Sequence, residues 1–275
     1  MVTFSSRSFH NKFDSLLERI PILGKIITSI FGAFEYFILE TFRYLDTKLN
    51  ISTFKVANRY IFRSRWGGKV IPLNVNLDVE TKFLPSQEIL ALLSRSKVTG
   101  ISSCYCRDTQ RKHSDTPNCD HPIKTCIHIG FGKSLREIPY KSENLVKVSK
   151  SEIKRLLEEC DDRGLVHQII FFPNPCFYYV VCNCCPCCCV VMNKFLTSGS
   201  PQMIRSDFVA ETNFEMCSNC GICSNWCHFK ARIYEQGSLI LKPENCFGCG
   251  ICISKCPENA ISLKPRADRS VLTQY

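Results

Sequence analysis

The sequence predicts an α+β protein of unequal parts, on three observations. A 3.6-residue hydrophobic period marks helix near the start, over residues 20–46. A capped helix near residue 150 leads into two β-rich runs separated by Pro173-Asn174-Pro175. All 20 cysteines lie beyond residue 103, and the last eight repeat one spacing twice.

Residues 1–69 are expected to form an amphipathic helical segment. At 100° per residue from Leu23, Ile26, Ile30, Phe34, Phe37 and Leu45 fall with their apolar neighbours in one arc of about 160°. Lys25, Glu35, Glu40, Arg43 and Asp46 fall opposite. Such a face packs on the chain's own core, or meets a partner subunit or a membrane surface through residues 20–46. A spanning helix is not expected, because the uncharged run Ile26–Phe34 is about half the ~20 residues required.

Residues 70–200 read as a cysteine-rich α/β module. Val70–Leu73 reads as a short strand and Ser86–Ser96 as a helix starting after Pro85. Ser149 and Glu152 have capping-box spacing, and Gly164 stops the helix that follows. Ile153, Leu156, Leu157 and Cys160 share one face of that helix. Leu165–Phe172 and Cys176–Val181 read as paired strands. Residues 201–213 are a connector, 214–265 a second, smaller domain and 266–275 a tail.

Cysteine at this density means disulfides or metal sites, and the redox compartment decides between them. The opening residues lack the unbroken apolar stretch of a signal peptide, so reduced thiols, metal sites and a cytoplasmic location are expected. The formal charge is +10, and residues 1–70 hold 11 Lys and Arg against 5 Asp and Glu. That modest excess accompanies no reader fold, so nucleic acid is not an expected partner.

The decisive motif is Cys217-x2-Cys220-x2-Cys223-x3-Cys227, repeated 29 residues on as Cys246-x2-Cys249-x2-Cys252-x3-Cys256-Pro257. Three thiolates separated by two intervening residues ligate three irons of one cube, and the fourth of each run completes the other cube. One [4Fe–4S] cluster is therefore expected on Cys217, Cys220, Cys223 and Cys256. The other is expected on Cys246, Cys249, Cys252 and Cys227. The run resembles the bacterial-type dicluster ferredoxins, over about the last fifth of the chain. His228 departs from that pattern, in which Pro follows the fourth cysteine. It is expected to loosen the turn or donate a hydrogen bond to a cluster, without removing a ligand.

Twelve cysteines lie upstream. Six fall within residues 182–189, too crowded to be inert core. Cys104, Cys106, Cys119 and Cys126 are candidates to join Cys182, Cys184, Cys185, Cys187 and Cys188 around an additional site. In an extended segment Cys182 and Cys184 face one centre while Cys185 and Cys187 face another. A further Fe–S cluster, structural zinc and a dithiol redox site are all open readings. His113, His121, His128 and His167 are weaker candidates, and Arg107 is a cation beside a candidate thiol. Val70-Ile71-Pro72, Cys104-Tyr105-Cys106-Arg107, the Cys119 and Cys126 pair, Gly164–His167 and Cys182-Asn183-Cys184-Cys185 together resemble an uncharacterised module. It precedes dicluster ferredoxin domains in proteins of anaerobic bacteria and archaea, which implies anaerobic redox chemistry.

No dinucleotide fingerprint, P-loop or Ser/His/Asp set is present. The expected function is electron transfer between redox partner proteins. The alternative is a ferredoxin-fed reductase, whose cysteine module reduces thiols, disulfides or sulfur compounds. A module using metals only structurally is a third reading.

Overall fold

The computed structural model describes residues 67–73, 98–113, 119–130, 145–171, 179–198 and 202–266, with isolated residues 37, 41 and 89. The amphipathic segment over 20–46, most of the helix expected at 86–96, and Cys176 lie outside the described residues. Among the described residues no helix is long and apolar enough to cross a membrane.

The upstream half is built on a seven-stranded sheet. Its strands are β1 (Gly67–Val70), β2 (Val98–Ser102), β3 (Cys126–Gly130), β4 (Val146–Lys147), β5 (Val166–Phe171), β6 (Tyr179–Cys184) and β7 (Gln202–Ile204). They lie in the order β4-β2-β3-β6-β5-β1-β7. Every neighbouring pair is antiparallel except β1 and β7. The expected pairing of the two β-rich runs is present, with Val166 opposite Cys184 and Gln168 opposite Cys182. The strand expected at residues 70–73 lies earlier, at Gly67–Val70. Ile71 adds one bond to the His167 carbonyl, and Pro72 then has no N–H to continue the ladder.

Helices α1 (Tyr105–His113), α2 (Lys150–Asp162) and α3 (Val190–Ser198) complete this half. The α2 capping box is formed: Ser149 Oγ accepts from the Glu152 N–H, and the Glu152 carboxylate accepts from the Ser149 N–H. Gly164 ends the turn at φ +69°. Ile153 and Leu157 of α2 pack on Ile127, Ile169 and Val181, which share one face of the sheet. Residues alternate across a strand, so Cys182, Cys184 and Val166 belong to the other face. That face packs on Met192, Met203, Phe229, Phe247 and Ile251.

The C-terminal half contains β8 (Phe208–Thr212), α4 (Ile222–Asn225), the hairpin β9 (Arg232–Glu235) and β10 (Ser238–Leu241), α5 (Ile251–Ser254), and β11 (Ile261–Pro265), which pairs with β8. The sequence repeat is visible in the backbone. Left-handed residues recur 29 positions apart: Asn219 and Gly248, Gly221 and Gly250, Lys230 and Asn259. The segment read as a connector supplies one strand to each half, β7 to the large sheet and β8 to the C-terminal pair.

The halves are joined by specific contacts. His228 Nε2–H donates to the Gly164 carbonyl at 2.8 Å. Lys255 Nζ donates to the Asp162 carbonyl at 2.8 Å and lies 4.9 Å from the Trp226 ring centroid. Phe247 stacks on Phe229 at 4.3 Å and meets Phe195 of α3 edge-on at 5.3 Å.

Candidate metal centres

In the C-terminal half, Cys217, Cys220, Cys223 and Cys256 line one cavity with Gly221, Ile222, Leu239 and Ile261. Three of these thiols come from the first run and one from the second. The cysteines of the other set, Cys246, Cys249, Cys252 and Cys227, lie close enough to affect one another electrostatically. Burial holds Cys249 well above the usual thiol range and pushes Cys252 up to about 12. A bound cation reverses that penalty by stabilising the thiolate.

The sulfurs are already supplied with donors. The Ala231 N–H donates to Cys227 Sγ at 3.2 Å, and the Ala260 N–H, 29 residues on, donates to Cys256 Sγ at 3.3 Å. Ala210 and Gly248 donate to Cys246 Sγ at 3.5 and 3.4 Å. Arg232 is buried between the sets, donating to Thr212 Oγ1 at 2.7 Å and to Cys223 Sγ at 3.9 Å. Burial opposes its charge, but Cys252, Cys223 and Cys246 outweigh that and raise its pKa. The donor set, the cavity and the buried cation fit iron–sulfur clusters.

Upstream, the thiols sort into two separate groups. The first is a closed ring of contacts: Cys104 to Cys106, Cys106 to Cys189, Cys189 to Cys184, Cys184 to Cys182, Cys182 to Cys126, and Cys126 back to Cys104. The sheet builds much of it. Cys126 and Cys182 lie on adjacent strands β3 and β6, and Cys184 follows Cys182 on the same face. Cys126 and Cys184 together hold Cys182 down at about 5, and contacts from Cys106 and Cys184 hold Cys189 at about 6. Gln168, opposite Cys182 in β5, is fully buried, and both of its side-chain polar atoms lack a partner.

The second group is Cys119, Cys185, Cys187 and Cys188, whose sulfurs all lie within 4.8 Å of one another. Cys119 to Cys185 is 3.8 Å and Cys187 to Cys188 is 3.6 Å. Arg111 fixes the loop carrying Cys119, donating to the Cys119 and His121 carbonyls at 2.7 and 2.6 Å. Burial opposes the Cys119 thiolate, but the His121 N–H and the thiols of Cys188, Cys187 and Cys185 lower its pKa.

Arg107 is 1% exposed and lies between the groups. It donates to Thr125 Oγ1 at 2.9 Å, to the Asn183 carbonyl at 3.1 Å and to Cys185 Sγ at 3.6 Å, and it acts electrostatically on Cys104. His167 Nδ1–H donates to Asn183 Oδ1 at 2.6 Å, while its Nε2 is buried without a partner. His128 is buried against Ser102 Oγ at 2.6 Å, and the four-thiol group contains no histidine. Cys160 is buried in the core beside Leu165.

The sequence offers Cys119 together with Cys104, Cys106, Cys126 and the thiols of 182–188 without dividing them; the structure brings it to Cys185, Cys187 and Cys188. Cys189, one of the six crowded thiols but not a named candidate, closes the ring, and Gln168 lies opposite Cys182. Strand register exposes Gln168; no local motif does. His228 bonds the upstream half at Gly164, which gives the departure from Cys-Pro a role other than donation to a cluster.

Residues 216–261 match the 4Fe-4S dicluster domain family. The pyruvate synthase subunit PorD of Thermotoga maritima is 39% identical over 57 residues, 20% of this chain and 56% of that protein. The archaeal glutamate synthase [NADPH] of Archaeoglobus fulgidus is 30% identical over 61 residues, 22% of this chain and 12% of that protein. The archaeal-type enzyme of Dehalococcoides mccartyi is 28% identical over 63 residues, 22% and 13% of the two chains. The chain thus spans from about an eighth to just over half the length of these relatives. The C-terminal domain is an iron–sulfur electron-transfer domain.

Proposed function

We propose that this chain carries electrons between redox partner proteins through two [4Fe–4S] clusters and a further iron–sulfur centre upstream. The first cluster is held by Cys217, Cys220, Cys223 and Cys256, the second by Cys246, Cys249, Cys252 and Cys227. The reading rests on one observation above all: thiols of both runs converge on a single cavity within the matched domain. PorD, named as a subunit of pyruvate synthase, supports a role beside partner subunits.

The upstream centre is read into the ring of Cys104, Cys106, Cys126, Cys182, Cys184 and Cys189. Two features favour it. Gln168 is buried on the ring's face of the sheet with its amide unpartnered, and cluster sulfides accept hydrogen bonds. Cys182, Cys184 and Cys189 also share one packed core with Cys249, Phe247 and Ile251. A centre in the ring would therefore adjoin the second cluster.

Anoxic purification followed by iron and acid-labile sulfide analysis tests both parts. Two cubes alone give about 8 iron and 8 sulfide per chain. The ring centre raises both counts together, and Cys104→Ser with Cys182→Ser returns them to that level. Cys256→Ser and Cys227→Ser should each perturb a different cluster in the electron paramagnetic resonance spectrum. An iron-free, fully folded product from iron-replete anoxic expression would overturn the whole reading. Counts that stay at the two-cube level would overturn the ring centre alone.

A further inference from the structure

Four thiols that bind one ion must lie closer together than four thiols that bind a cube. Around a single tetrahedral ion with metal–sulfur bonds of about 2.3 Å, neighbouring sulfurs sit about 3.8 Å apart. In a cube each thiolate belongs to a different iron, and the sulfurs are spread more widely. Cys119, Cys185, Cys187 and Cys188 have the one-ion spacing, with contacts of 3.8 and 3.6 Å and no pair beyond 4.8 Å. Among the described residues no other set of His, Cys, Asp or Glu converges this tightly.

We propose that Cys119, Cys185, Cys187 and Cys188 form a mononuclear tetrathiolate site for one divalent ion, zinc or ferrous iron, distinct from the six-thiol ring. The chemistry of the donors fits. Four thiolates close the tetrahedron and leave no position for substrate, as in a structural site. They bring a net charge of about −2 to the site with a divalent ion, and Arg107, buried and 3.6 Å from Cys185 Sγ, offsets part of it. Binding releases the thiol protons to solvent, with no change of oxidation state. Three of the surrounding sulfurs are shielded, and Cys187 alone is exposed.

The site has a positioning task. In the chain, Cys184 and Cys189 of the ring flank Cys185, Cys187 and Cys188 of the tetrad. The ion ties the turn over residues 186–188 to the Cys119 loop, and so fixes where β6 ends and α3 begins.

The test uses the full chain purified without oxygen, with zinc, iron and acid-labile sulfide counted per chain. The expected result is one ion unmatched by sulfide. If it is zinc, X-ray absorption at the zinc edge shows four sulfurs at about 2.3 Å and no nearby metal. If it is iron, iron exceeds sulfide by one, and oxidation gives the spectrum of a ferric tetrathiolate. Cys187→Ser with Cys188→Ser abolishes the unmatched ion and keeps the sulfide count. Cys104→Ser with Cys182→Ser keeps the ion whatever happens in the ring. Because the X-ray measurement needs no variant, misfolding of a variant does not blunt the test. The proposal falls if every metal ion is matched by sulfide, if the Cys187 and Cys188 pair loses iron and sulfide together, or if the anoxic protein carries a Cys187–Cys188 disulfide. None of these outcomes depends on the two C-terminal clusters.

Discussion

His228 occupies the place that Pro257 holds in the other copy of the repeat. Its ring bonds Gly164 across the junction between the halves. His228→Pro should therefore keep the iron and sulfide content and weaken the junction. The loss of one part-buried hydrogen bond costs about 1 kcal/mol, read as a lower midpoint in anoxic denaturant unfolding. Gly248 and Asn219 make a second informative pair. Both have positive φ, 65° and 53°. A Cβ on Gly248 would collide with Ser206 Oγ and the Phe208 carbonyl, so Gly248→Ala should strip the second cluster or prevent folding. Asn219 instead uses its side chain, donating to the Gly237 carbonyl at 2.6 Å and accepting from the Leu239 N–H at 3.2 Å. Asn219→Gly should keep both clusters and loosen the β9–β10 hairpin, measured as faster amide exchange there. The eight C-terminal thiols were legible because their spacing is local chemistry. Gln168, and which of the candidate thiols Cys119 meets, were not, because strand register and loop docking bring them to their sites.

At the scale of elements, α2 was legible nearly to the residue. Its cap, apolar face and stop signal all lie within one short stretch. Ser149→Ala should cost about 1 kcal/mol of stability in thermal or chemical unfolding. The Ser149 hydroxyl and N–H hold the Glu152 carboxylate below its usual range. A carboxylate depressed in the folded state adds stability above its unfolded pKa and loses it as pH falls through the folded value. The wild-type advantage over Ser149→Ala should therefore shrink in acid. The hairpin-like pairing of β5 with β6 was legible from β-branched and aromatic residues flanking Pro173 and Pro175. The strands β7 and β8 were not, since three and five residues carry too little period to stand out from a linker.

For the whole molecule, an α+β class was readable from the sequence, but the joining of its halves was not. Phe247 shows what the junction rests on. It is 6% exposed and packs between Phe195 of the upstream half and Phe229 of the downstream half, with the Arg205 guanidinium 5.4 Å from its ring. Phe247→Ala should destabilise the protein by about 3–5 kcal/mol, and should reduce metal content in both halves together. A loss confined to the second cluster would mean that the halves hold their centres independently. Nothing in the spacing of cysteines announces this aromatic seam, because its members are scattered over residues 195–247.

The nesting of Cys185, Cys187 and Cys188 inside Cys184 and Cys189 has a consequence for biogenesis. At about 5–20 residues per second a ribosome delivers all of them within roughly a second. Timing of synthesis therefore cannot tell thiols meant for one centre from those meant for the other. For the two upstream centres proposed above, order of loading would supply the discrimination: a small ion captured first would withdraw three thiols and Cys119 from competition, and present the rest to the bulkier cargo. Reconstituting the emptied protein with zinc before iron and sulfide should yield a uniform product. The reverse order should yield mis-metallated chains, separable by native mass spectrometry.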